Sequence, residues 1–171
     1  MIKVIQTFAA AGGGGTYYAN SANCTAHKVS GFGGGTGGFN GFAGATELNA
    51  TDKGYISTDD NNSYGNSTDN ALRWDIKITE AEGNVTEIAL QVKVWNTGSY
   101  PTDLYIWKDS TSEWELLASV DCTGGKTTIN RSVVANIANY IDGDGKIYFA
   151  TVDESDNGTT YNYFGQCCIT T

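Results

Sequence analysis

The sequence predicts an all-β protein, an antiparallel β-sandwich. Three observations carry this reading. Apolar and polar residues alternate with a period of two through most of the chain beyond residue 71. Turn-forming clusters interrupt the alternation about every ten to fifteen residues, and little of the chain holds a helical period.

The elements follow in order. MIKVIQTFAAA opens the chain as an apolar, strand-forming arm, with Ile2, Val4 and Phe8 on one face and Ile5 on the other. Gly12 to Gly15 then read as a flexible tether. Twelve of the 22 glycines precede residue 46, and GFGGGTGGFNGFAG spaces Phe32, Phe39 and Phe42 through its glycines. That spacing reads as a loop anchored over a core by its aromatic rings. The expected division is an arm and Gly-rich loop over residues 1–46 and a sandwich over 47–171, forming one folded unit.

In ALRWDIKIT, Leu72, Trp74, Ile76 and Ile78 share the inward face. AEGN supplies a turn, and TEIALQVKVW follows with Ile88, Leu90, Val92 and Val94 inward. DLYIW and EWELLASV form a hairpin across KDSTS. A short strand is expected around Thr127–Asn130, then one or two helical turns within Ser132–Tyr140 with Val133, Ile137 and Tyr140 on one side. DGDG turns the chain into KIYFATV, and TTYNYFGQCCIT is the last strand.

The chain has 171 residues, a net charge of −9 and a sequence pI near 4.4. An acidic chain with only two arginines lacks the basic footprint that nucleic acid or an anionic membrane requires. No apolar run approaches the ~18 residues of a membrane span. A signal peptide fits the first residues poorly, because the apolar stretch is short and Gln6 interrupts it.

Cys24, Cys122, Cys167 and Cys168 are disulfide candidates. In a strand, the adjacent Cys167 and Cys168 face opposite ways, so Cys24 and Cys122 would each take one of them. Two such bridges imply an oxidising compartment or a thermophile. N-x-S/T triplets begin at Asn23, Asn49, Asn61, Asn66, Asn84, Asn130 and Asn157, seven where composition gives roughly three by chance. They make these asparagines candidate glycosylation sites and point to a secreted or cell-surface protein.

A catalytic centre is not expected. His27 is the single histidine, G-x-S-x-G is absent, and Glu113 and Glu115 share a strand face as solvated residues would. No cofactor is required. Asp59 and Asp60 are candidate ligands of a structural calcium, with turn formation an equal reading. Asp142 and Asp144 in DGDG read as turn formers. Among the aromatics, Trp74 belongs to the inward set and Trp95 is out of phase with Ile88–Val94. Tyr105 and Trp107 share a face opposite Leu104 and Ile106, so one of these pairs faces outward or meets a partner.

LYIWKDSTSEWELL, the Thr-rich strand after it and IANYIDGDGKIYFATV resemble a jelly-roll module of archaeal and bacterial surface proteins and some virion proteins. STDDNNSYGNSTDNALRWDI resembles the opening strand of carbohydrate-binding-type jelly rolls, and the resemblance spans about residues 47–165. It implies an antiparallel jelly-roll-like β-sandwich with the N-terminal strand arm and Gly-rich extension attached. The expected function is a non-enzymatic subunit that self-assembles into an extracellular filament, pilus-like fibre or tube. Ile2, Val4, Ile5 and Phe8 would serve as a donated strand. The partner is then a second copy of the chain at a cell surface. The alternatives are a carbohydrate-binding module with glycan partners and a virion coat or decoration protein.

Overall fold

The computed structural model describes residues 13–18, 24–30, 40–43, 56–59, 70–153 and 159–171. Among them are eleven strands: β1 (Thr16–Tyr18), β2 (Cys24–Ser30), β3 (Asn40–Ala43), β4 (Ile56–Asp59), β5 (Asn70–Lys77), β6 (Glu87–Asn96), β7 (Thr102–Lys108), β8 (Glu113–Val120), β9 (Thr127–Val133), β10 (Lys146–Asp153) and β11 (Thr159–Thr170). Helix among the described residues is limited to 3-10 turns at Glu82–Asn84 and Ile137–Tyr140. One sheet runs β1–β11–β6–β9, with β4 also paired to β11; the other runs β3–β2–β5–β10–β7–β8. All pairs are antiparallel. The fold is a jelly-roll β-sandwich.

The period of two places the core. Leu72, Trp74, Ile76, Leu104, Ile106, Ile147 and Phe149 of the six-stranded sheet are fully buried against Ile88, Val92, Val94, Cys167 and Ile169 of the other. Each such side chain contributes about 1.5–3 kcal/mol by leaving water. Trp74 stacks on Phe149 at 4.8 Å and 11°. Its indole also lies against Gly165 of β11, where a Cβ would sit 2.4 Å from Nε1. Only glycine lets the two sheets approach this closely. The register of β11 on β6 shifts between Asn162 and Phe164, just before this contact.

The turns follow the sequence. Gly145, at φ 72°, closes the DGDG turn, and Asp142 caps it by accepting from the Asp144 N–H at 2.9 Å and the Lys146 N–H at 2.8 Å. The helical turn is shorter than expected: it spans Ile137–Tyr140 with Ile137 and Tyr140 buried, while Val133, also buried, ends β9.

Pairing distant in sequence joins the first part of the chain to the rest. β1, β2 and β3 come from the stretch set apart as an extension, yet β1 pairs with β11 and β2 with β5, so the sheets run across the boundary at residue 46. Gly14 and Gly15, just ahead of β1, are docked on β11. Ile169 N–H donates to the Gly15 carbonyl at 2.8 Å, and a Cβ on Gly14 would meet the Ile169 carbonyl oxygen at 1.7 Å. The Tyr17 hydroxyl donates to Glu80 Oε2 at 2.6 Å and accepts from the Thr79 N–H at 2.8 Å, while Gly15 N–H donates to Glu80 Oε1. One carboxylate therefore pins the start of the sandwich.

The two expected disulfides are not found among the described residues. Cys122 and Cys167 are in the core, and Cys168, on the opposite face of β11 from Cys167, is 2% exposed. Burial pushes the Cys168 thiol up, although contacts from Thr16 and Gln166 oppose it. Cys167 pairs in register with Leu90 at mid-strand, whereas Cys122 sits beyond β8, its carbonyl accepting from the Asn96 N–H at 3.2 Å. Cys24 stands opposite Ile76 in β2.

Candidate functional site

The outer face of the six-stranded sheet collects the side chains that the core excludes. Because Leu104 and Ile106 enter the core, Asp103, Tyr105 and Trp107 stand on the other side of β7. Register then assembles rows across four strands. One row runs Arg73, Ala150, Tyr105, Leu116. A second holds Asp75 beside Tyr148, and Trp107 beside Trp114. A third joins Val152, Asp103 and Ser119. His27 takes the position next to Arg73 on β2.

The face is ordered by contacts within it. Trp107, 4% exposed, meets Trp114 edge-on at 5.4 Å and 66°, and its Nε1 donates to Asp109 Oδ1 at 3.3 Å. Trp114 and Tyr105 are half-buried, and Leu116 is 50% exposed, so the open part lies over β7 and β8. Arg73 contacts Asp75 at 2.6 Å (Nε to Oδ1) and 2.8 Å (Nη2 to Oδ2), and its guanidinium lies 5.8 Å from the centre of the Tyr148 ring. Tyr148 donates to Asp142 Oδ2 at 2.6 Å. Burial and then this bond to a carboxylate raise the Tyr148 hydroxyl well above its usual range. Burial alone would raise Asp142, but the hydrogen bonds from Tyr148, Lys146 and Asp144 outweigh it and hold the carboxyl low. Tyr105 donates to Asp103 Oδ2 at 3.2 Å. The result is a half-open aromatic shelf bordered by carboxylates, able to pack a flat apolar surface and accept hydrogen bonds beside it.

The other expected site residues scatter. Ile2, Val4, Ile5 and Phe8, Asp60, and Asn23, Asn49, Asn61, Asn66 and Asn157 lie outside the described residues. Asp59 ends β4. Asn84 and Asn130 are exposed. Trp95 is half-buried on the five-stranded sheet, away from the shelf, and Tyr100 is 52% exposed in the turn before β7. Glu115 departs from the solvated face expected for it: it accepts from the Tyr140 hydroxyl at 2.9 Å and lies 3.8 Å from Lys108. Among the described residues no group of three or more His, Cys, Asp or Glu could hold a metal ion. Sequence reasoning missed Arg73, Asp75, Asp103 and Tyr148. Their signal was present, since each is the polar or aromatic residue out of phase with an inward set, but only register joins four strands into one surface.

Fold and shelf together define a jelly-roll β-sandwich of the kind seen in carbohydrate-binding modules. Its sequence matches the family model AF_1625_C, described as "Uncharacterized protein, C-terminal domain", over residues 42–164, and the chain belongs to that family. No curated protein matches it in sequence. Among solved structures, a xylan-binding module CBM15 superposes with a TM-score of 0.50 at 9% identity, covering 92% of this chain and 97% of that one. A CBM35 from Cellvibrio japonicus Abf62 covers 92% of this chain and 95% of its own at 15% identity, with a TM-score of 0.48. No helix among the described residues is long and apolar enough to cross a membrane.

Proposed function

We propose that this chain is a non-catalytic carbohydrate-binding module that works outside the cell and docks a glycan on the outer face of its six-stranded sheet. The Trp107–Trp114 pair with Tyr105 beside it carries the reading. A pyranose ring offers a flat C–H face that packs on an aromatic ring and an edge of hydroxyls that need polar partners. The shelf supplies both, and Trp107 holds Trp114 from the side so that little side-chain entropy is lost on binding. The fold shared with the xylan-binding CBM15 supports this and makes xylan the first ligand to try.

The test is Trp114→Ala in a glycan-array screen followed by titration calorimetry on the best ligand. Loss of a central aromatic anchor costs at least about 1.4 kcal/mol, roughly tenfold in affinity. Undiminished binding by this variant would overturn the proposal.

Self-assembly through strand addition is a second reading, favoured by one observation. β4 pairs with Thr159–Asn162 and β1 with Gln166–Cys168, so along residues 163–165 neither strand, among the described residues, covers that edge of β11. Sedimentation and negative-stain imaging of the full chain beside a variant lacking residues 1–11 test it: polymers of the first and not the second are expected.

A further inference from the structure

We infer that the sandwich binds a water molecule inside its core, at the end where β7 begins, bridging the Asn162 side-chain amide and the Thr102 hydroxyl. The inward positions at that end are polar, unlike the rest of the core. Asn96 ends the inward row of β6, Thr151 follows Phe149 on β10, Thr102 precedes Leu104 on β7, and Asn162 stands on β11; each is 1% exposed or less. Asn162 reaches the inside through the irregularity in its strand. Gly165, Cys167 and Ile169 face the core, so an uninterrupted strand would turn Asn162 outward. The register shift between Asn162 and Phe164 brings it back.

Part of this polar end is satisfied by protein. Asn96 Nδ2 donates to the Tyr100 carbonyl at 3.0 Å and its Oδ1 accepts from the Gly98 N–H, which closes the turn between β6 and β7. Thr151 Oγ1 donates to Asn162 Oδ1 at 2.7 Å. Two atoms are left over: Asn162 Nδ2 and Thr102 Oγ1 are buried and have no hydrogen-bond partner in the protein. Buried groups left in that condition are costly, and native interiors meet them with ordered water. Register brings the two together. Thr102 pairs with Asp153 and Leu104 with Thr151, so Thr102 and Thr151 are diagonal neighbours on one face, about 7–8 Å apart at Cα. Thr151 in turn touches Asn162. These side chains are shorter than the isoleucine, phenylalanine and tryptophan that fill the rest of the core. Exchanging the two ends of the Asn162 amide trades an unpartnered donor for an unpartnered acceptor, and water, which both donates and accepts, serves either.

The test is a water–protein NOE measurement on the nitrogen-15-labelled full chain, followed by urea unfolding of Thr102→Val, which keeps the shape and removes the hydroxyl. A cross-peak between water and the Asn162 side-chain amide protons is expected in the parent chain and should be lost in Thr102→Val. The folding equilibrium constant of the variant should fall about fivefold, since a made hydrogen bond is removed. A hydroxyl that has no partner at all gives the opposite sign, because valine relieves its burial. Absence of the cross-peak in the parent chain overturns the inference without any variant. A cross-peak unchanged in Thr102→Val, or a folding constant equal to or above that of the parent, overturns it as well.

Discussion

The two sheets turn unlike faces outward. Beyond the five-stranded sheet stand Gln91, Lys93, Asn130 and Ser132, small or polar groups that bond to one another, as Gln91 Nε2 does to Asn130 Oδ1 at 2.8 Å. Beyond the six-stranded sheet stand two tryptophans, two tyrosines and an arginine–carboxylate pair. Both faces obey the same alternation and back onto the same core. Folding therefore accounts for the inward residues of each sheet; outward, the described side chains of the five-stranded sheet include Trp95, whereas the six-stranded sheet gathers Tyr105, Trp107, Trp114 and Tyr148.

The comparison can be broken most forcefully from inside. Trp74→Ala removes the ring that both sheets clasp and should cost about 3–5 kcal/mol in urea unfolding. Gly165→Ala enters the same contact from the other sheet and should cost about 1–3 kcal/mol by overpacking. A neutral result would show that the sheet spacing is not set at this contact. Both variants should weaken ligand binding only as far as they unfold the protein.

The faces themselves are separated by a pair of surface changes. Tyr105→Ala should weaken glycan binding about tenfold, whereas Gln91→Ala should leave it unchanged, each altering stability by about 1 kcal/mol or less. Equal loss in both would place the ligand elsewhere.

The smallest effect concerns the strand pinned by Glu80. Burial would raise this carboxyl, but hydrogen bonds from Tyr17, Gly15 and Thr79 hold it below its ordinary value of 4.5. A depressed folded pKa contributes stability that is present above 4.5 and is lost as pH falls through the folded value. Glu80→Gln should flatten the acid limb of a stability–pH profile below about pH 4.5 and leave the neutral limb offset by the lost ion-assisted bonds. An acid limb identical to that of the parent chain would show that β1 is held by other contacts.

Much of the sandwich was legible because alternation is local. Leu72 to Ile78 and Ile88 to Val94 declare their inward faces within a single strand, and DGDG declares its turn. For β7 the same rule named two candidate faces, Leu104 with Ile106 and Tyr105 with Trp107, without ranking them. The packing of the opposite sheet settled it. The docking of Gly15 and Tyr17 onto Glu80 joins residues more than sixty positions apart, and Gly14 and Gly15, which read locally as tether, pack closely on β11. The expected disulfides are not found among the described residues, and parity of faces fixes which way a cysteine points without saying what lies opposite.

The sequence by itself determined the class of this protein, because side-chain period and turn chemistry depend only on near neighbours. The tertiary structure alone decided which strands stand side by side. Arg73, Tyr148, Tyr105 and Trp114 lie on four different strands, and only hydrogen-bonded register, a long-range property, makes them one surface.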